Sequence, residues 1–359
     1  MKTRRTFRQN FLSALGLGWT GETTATGAVG SVVDSKFAKY PDDYFNGSDL
    51  LVTEGTEDNG TTHYVTDFTS SSGTFAITPS FSGALGAGIT FEVVKDEATF
   101  VNWNNLLRQA YEYLAPRLLL PAFDESITLA NSTYLYTVPY ENTRSGLIAD
   151  AGGSTTTLLD AALTEAADYW NGALLILTLG TLAGQFRAVS DFVATSDTLT
   201  VITPLSAAPD TMTYTLFKPR LYSIHRIYHY EASGKLVRMG RQGWSIDRLG
   251  SESQIRFHHA QYAEKGFTEI ISRAETVPAN QIRIEGYRKA KDPEAETDPI
   301  EIPESALSSW LRYLWHENFG WRDKADPASH LQILLTSKAF AEDALSREIV
   351  TLPPESVLV

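Results

Sequence analysis

The pattern of the chain predicts an α+β fold: a helical bundle built from sequence-distant helices, carrying two similar inserted β-sandwich or barrel-like modules and a third β region. Three observations predict it. One β-rich pattern occurs twice, at residues 28–95 and 151–218. Amphipathic helical spacing recurs in four widely separated segments, and between Leu221 and Arg288 the pattern returns to short strands. At 359 residues with 43% hydrophobic content the chain can bury a sizeable core and is expected to form two or three domains.

Residues 1–20 open with Thr3-Arg4-Arg5-Thr6-Phe7, which resembles a twin-arginine export signal. The apolar stretch that follows is interrupted by Ser13 and Gly16, whereas an export core needs about 7–15 clearly apolar residues. Phe7, Phe11, Ala14 and Leu15 instead fall at helical spacing, with Arg4, Arg5 and Arg8 toward solvent and a glycine stop. A first bundle helix is therefore expected here.

The first module, residues 28–95, runs from Asp43-Tyr44-Phe45-Asn46-Gly47 through Leu50-Leu51-Val52-Thr53, Asp67-Phe68 and Thr74-Phe75-Ala76-Ile77-Thr78-Pro79 to Thr90-Phe91-Glu92-Val93-Val94-Lys95. The second, residues 151–218, repeats the order as Asp168-Tyr169-Trp170-Asn171-Gly172, Leu174-Leu175-Ile176-Leu177, Asp191-Phe192, Leu199-Thr200-Val201-Ile202-Thr203-Pro204 and Thr213-Tyr214-Thr215-Leu216-Phe217-Lys218. Asn-Gly suits the positive φ of a tight turn, and short Val, Ile, Thr and aromatic runs between Gly and Pro suit strands. Tyr44, Phe45, Tyr169 and Trp170 fit either core plugs beside the turn or a sugar-stacking platform, and repetition beside a turn favours the core.

Between the modules, residues 96–116 place Phe100, Trp103, Leu107, Ala110 and Leu114 on one helical face until Pro116, and residues 126–150 connect by β segments. Residues 219–290 form the third β region: Ile224, Ile227, Tyr228 and Tyr230 lead to a turn at Gly234, Leu236, Val237 and Met239 return, and Ile282-Arg283-Ile284 alternates. Residues 291–302 are charged and carry prolines, as a linker with little to bury does. Residues 303–347 supply the last two bundle helices, one from Pro303 through Leu314, the other capped by Asp326 and burying Leu331, Leu334, Leu335, Ala339 or Phe340, and Leu345. Residues 348–359 hold Pro353-Pro354 and are expected to form an extended tail.

Composition and motifs argue against most chemistry. No run approaches the roughly eighteen apolar residues of a membrane-spanning helix, and with no cysteine the chain uses neither disulfides nor thiolate-bound metal. A net charge of −13 opposes a nonspecific grip on nucleic-acid backbone, which needs Lys and Arg. His225 and His229 lie on a strand pattern, where residues four apart are about 13 Å from each other, and adjacent His258 and His259 would point to opposite faces. No HExxH, GxSxG or phosphate-loop motif occurs, and no carboxylate pair stands out for glycoside hydrolysis; Asp43 and Asp168 are explained by turn chemistry. No catalytic residue, metal or cofactor is expected.

The segment Asp168 to Gly172, through Gly180, Gly184-Gln185-Phe186-Arg187 and Asp191-Phe192 to Tyr214-Thr215-Leu216, is similar to segments of bacteriophage head–tail connector (adaptor) proteins. So are Ile282-Arg283-Ile284-Glu285-Gly286-Tyr287-Arg288, then Thr297 to Glu304, and the opening Arg4 to Gly16. The chain departs from that pattern in its length and in the duplicated module. The resemblance implies a noncatalytic virion protein, assembled in the host cytoplasm into a ring that is usually dodecameric. Such a ring joins the portal to a downstream neck or tail protein, with genomic DNA passing nearby without specific binding and no membrane involved. An acidic exit path would let DNA slide. Trp310, Trp315 and Trp321 would serve as anchors if they lie at subunit contacts. Leu352, Pro353, Pro354, Val357, Leu358 and Val359 would form a docking peptide for the portal. The alternatives, from other classes, are a tail-side or surface β protein binding host carbohydrate, and an exported hydrolase.

Overall fold

Alternation of apolar and polar residues, rather than helical spacing, decides most of the chain. The computed structural model describes residues 2–54, 58–95, 98–129, 133–139, 141–148, 153–209, 212–230, 235–249, 252–258, 281–319, 327–349 and 357–358, and among these twenty strands accompany four α-helices. The chain divides into two compact units: Lys2–Tyr113 with Pro303–Arg347, and Leu114–Ile302 with Glu348–Val359.

In the first unit, α1 (Arg4–Ala14) begins where the Thr3 hydroxyl accepts from the Thr6 amide, and ends at Gly16, whose φ of +71° leaves the helical region. Strands β1 (Gly18–Glu22), β2 (Ser31–Val33), β3 (Asp49–Val52), β4 (Thr62–Thr69), β5 (Thr74–Thr78) and β6 (Thr90–Val94) form one antiparallel sheet in the order β1-β6-β3-β4-β5-β2. The sheet curls on itself. Its two edge strands meet where the Glu22 amide donates to Asp34 Oδ2 at 3.1 Å and the Thr24 amide donates to the Val33 carbonyl at 2.9 Å. Phe37, Phe45, Phe68, Phe75 and Phe91 fill the interior, each contributing roughly 1.5–3 kcal/mol of burial.

The same unit holds α2 (Phe100–Leu114), α3 (Glu304–Asn318) and α4 (Pro327–Glu348). Trp103 of α2 packs its ring 6.1 and 5.4 Å from Phe7 and Phe11 of α1, and Tyr113 stacks on Trp310 of α3 at 4.0 Å. Arg8 does not face solvent as its spacing predicts. It is buried on the outer side of the sheet, where Nε and Nη2 each donate to the Glu92 carboxylate at 2.9 Å.

The second unit begins with β7 (Leu120–Asp124) and β8 (Leu135–Thr137). Strands β9 (Asn142–Ile148), β10 (Thr157–Leu159), β11 (Leu174–Leu177), β12 (Phe186–Val193), β13 (Thr198–Val201) and β14 (Met212–Lys218) form a six-stranded sheet in the order β10-β13-β12-β11-β14-β9. Read from its other end, this is the connectivity of the first sheet. The copies share even their irregularities. Asp43 and Asp168 sit at φ +61° and +63°, Gly47 and Gly172 at +86° and +82°, and each fourth strand carries a bulge, between Val65 and Asp67 and between Val189 and Asp191. Each module starts one strand earlier than the sequence similarity, because β1 and β9 have little in common beyond Gly21 and Gly146, where a Cβ would strike Phe91 or Tyr214.

Strands β15 (Ser223–Tyr230), β16 (Leu236–Arg238), β17 (Trp244–Leu249), β18 (Glu252–Phe257), β19 (Ile282–Arg288) and β20 (Val357–Leu358) complete the unit. One sheet runs β16-β15-β19-β7 with β20 also on β15, and the other runs β17-β18-β8. Ile224, Ile227 and Ile284 from the first meet Trp244, Ile255 and Phe257 from the second in a common core. Residues 291–302, expected to be a linker with little to bury, are folded. Arg288 clamps Glu301 at 2.5 and 2.7 Å, the Glu294 and Ala295 amides donate to Asp298 Oδ2, and Ile300 and Ile302 are buried.

The helical bundle with β insertions is thus overturned: the chain is mostly β, made of half-barrel sheets, with helices attached. The physical reason is where the apolar surface is spent. Both modules and the third β region have interiors of their own. Of the row assigned to α4, Leu345 is buried and Leu334 half-buried, but Leu331, Leu335, Ala339 and Phe340 are exposed; among the described side chains of the helix, Ala341 is the other buried one.

Candidate partner-binding surfaces

Two of the three tryptophans named as anchors, Trp310 and Trp315, are used within the chain. Trp310 is 6% and Trp315 8% exposed; the first stacks flat on Tyr113, and the second packs on Phe319 at 4.8 Å. Trp321, Leu352, Pro353, Pro354 and Val359 lie outside the described residues. Val357 and Leu358 form β20, antiparallel to Ile224 and Ser223, so the tail adds a strand to its own sheet; the Leu358 side chain stays 44% exposed.

Helix α4 is the surface that spacing missed. Leu331, Leu335 and Phe340 are 54%, 59% and 66% exposed, with Ile333 and Leu334 half-buried beside them. Apolar residues occur on every side of this helix, so a single core-facing stripe cannot be read from the periodicity. That same all-round pattern is the signal that could have marked it, because a helix apolar all round needs cover on more than one face. Leaving three large side chains more than half in water forfeits roughly 1–2 kcal/mol each that a partner surface would recover. Lys338 and Glu342 are exposed on the same helix.

The repeated aromatics are core plugs. Phe45 and Trp170 are fully buried, and the adjoining tyrosines are each covered by an ammonium group, Lys95 Nζ 3.8 Å from the Tyr44 centroid and Lys218 Nζ 4.2 Å from that of Tyr169. A sugar would not find these rings bare.

Three clusters of buried polar groups in the second unit pair internally. Lys218 Nζ lies 2.9 Å from Asp124 Oδ2 and donates to the Tyr169 carbonyl at 3.0 Å. Burial pulls its pKa below the ordinary lysine value, and the Asp124 charge opposes that shift. Glu125 accepts from Tyr230 Oη at 2.7 Å and Asn171 Nδ2 at 2.8 Å; burial and this carboxylate both push the Tyr230 pKa up. Tyr214 Oη donates to Asp160 Oδ2 at 2.5 Å, and burial followed by that bond raises the phenol well above its usual range. These bonds tie strands and loops together, and sequence reasoning, which found no carboxylate pair that stands out, missed all three. His225 lies on β15 and His258 follows β18; His259 is outside the described residues.

No family model matches the chain, and no curated protein matches it either.

Proposed function

We propose that the chain is a noncatalytic virion structural protein that assembles into a head-to-tail adaptor or neck ring, joining the portal to the tail around the DNA exit path. The observation that carries this proposal is the set of exposed apolar side chains on α4, Leu331 and Leu335 one turn apart on one face and Phe340 on the other, which neighbouring subunits would cover. Assembly rests on that helix and on the sheets, no longer on a bundle. The net charge of −13 supports passage of DNA without a grip, since phosphates gain nothing from an acidic surface. Docking to the portal is assigned to the C-terminal segment, which already behaves as an addable strand on β15.

Mass photometry and negative-stain microscopy of the purified chain, alone and with portal protein, test this. Closed rings are expected with portal. The double substitution Leu331→Glu and Leu335→Glu is expected to abolish them while shifting the melting temperature by less than about 3 °C, because both side chains are already in water. A chain that stays monomeric beside portal would sink the proposal.

A further inference from the structure

One edge of β15 holds two strands in succession. The opposite edge is taken by β19 from Ser223 to His229, while on this one β16 pairs with Tyr228 to Tyr230 and β20 pairs only with Ser223 and Ile224. Strand β20 is short, since most strands run about 3–10 residues. So brief a ladder sets few main-chain hydrogen bonds against the entropy of ordering the segment. Ser223, directly opposite Leu358, is fully buried, and its hydroxyl has no hydrogen-bond partner among the described residues. An unanswered hydroxyl at the point of pairing lowers the stability there. Leu358 is 44% exposed, so the edge covers only part of it. The strand is held, but weakly.

We propose that β15 is a resting seat for the C-terminal strand: it holds Val357 and Leu358 in the free chain and releases them when the tail docks on the portal, the role proposed for the tail above and the one on which this seat depends. In a strand, successive residues turn their N–H and C=O groups to opposite edges. Of Val357 and Leu358, one therefore faces β15 and one faces away. Seated, the pair offers a new partner the main-chain groups of a single residue; released, it offers those of both. Docking by strand addition draws on those groups, so it favours the released tail. The seat then acts as a competitor. Apparent affinity for the portal is the intrinsic affinity scaled by the fraction of chains whose tail is released, so a weak seat costs little and a locked one blocks docking. Until the portal is met, the seat also keeps an addable strand from pairing with the wrong edge.

The chain has no cysteine, so Ser223→Cys with Leu358→Cys creates its only thiols, on directly opposed residues close enough for a disulfide. Portal affinity of this full-length variant is measured by biolayer interferometry before and after reduction, beside the deletion of residues 351–359, with a nonreducing gel to show whether the bond lies within one chain. The oxidised form is expected to dock at least about tenfold more weakly than the reduced form. In the unaltered chain, portal is expected to accelerate amide exchange at whichever of Ser223 and Ile224 turns its N–H toward β20. That second measurement needs no substitution, so it decides the matter if the double variant misfolds. Equal docking of oxidised and reduced forms with the deletion impaired, or exchange unchanged by portal, would overturn the seat while leaving the tail as the docking segment. Docking undiminished by the deletion would remove the tail from docking and the seat with it. Disulfides that join two chains would overturn it as well, by placing the strand on a neighbour's β15.

Discussion

Lys95 and Lys218 occupy the same place in the two modules, each ammonium above a tyrosine, yet their energetics diverge. Lys95 is half-buried, whereas Lys218 is 2% exposed and paired with the equally buried Asp124, whose Oδ1 also accepts from Ser126. Lys218→Met leaves that carboxylate buried and unanswered and is expected to cost about 3–5 kcal/mol in urea denaturation, most of it recovered by adding Asp124→Asn. Lys95→Met is expected to cost under about 1 kcal/mol. Asp168 supplies a pH test. Burial raises its pKa above 3.8, and the nearby Asp191 carboxylate adds to that against the bond from Asn171. As pH climbs through this range the unfolded chain releases the proton first, so this group makes stability fall with rising pH. Asp168→Asn keeps a residue tolerant of φ +63° and should raise the melting temperature at neutral pH, with the gain vanishing below about pH 3. A gain that persists in acid would refute the assignment.

At the scale of elements, the two Asn-Gly turns are a controlled pair. Both glycines have strongly positive φ, but a Cβ on Gly47 would meet only the Tyr64 hydroxyl at 3.5 Å, whereas on Gly172 it would lie 2.2 Å from the Phe123 carbonyl oxygen. Gly47→Ala is expected to cost about 1–2 kcal/mol of backbone strain, and Gly172→Ala about 1–3 kcal/mol more because a main-chain carbonyl has to move. Equal losses in denaturant melts would show that the turn of the second module relaxes freely. These turns were readable in advance because Asn-Gly and the flanking alternation are local signals. The burial of Arg8 was not, since its partner Glu92 lies 84 residues away and only the curled sheet brings the two together.

For the whole molecule, the C-terminal strand is the accessible experiment. Deleting residues 351–359 removes β20 from Ser223 and Ile224, so amide exchange should accelerate at whichever of these two residues turns its N–H toward β20 while the rest of the third β region is unchanged. Portal docking should weaken in the same variant. Unchanged docking would take that role from the tail.

Local pattern was sufficient for the duplication, the strands β3 to β6 and β11 to β14 of the modules, the buried face of α2 and the starting residues of α3, because alternation, turn chemistry and helical spacing act over a few residues. Which elements form the frame was decided in three dimensions. Apolar spacing says that a face needs cover and not what covers it, so most of the row expected on α4 is exposed while Leu345 is buried, the tryptophans of α3 are spent on Tyr113 and Phe319, and the charged linker folds around Glu301 and Asp298. The repeated module shows the same limit: its fold follows from residues common to both copies, but the outer face that α1 covers through Gly18 and Glu92 in the first copy carries Thr143 and Thr215 in the second.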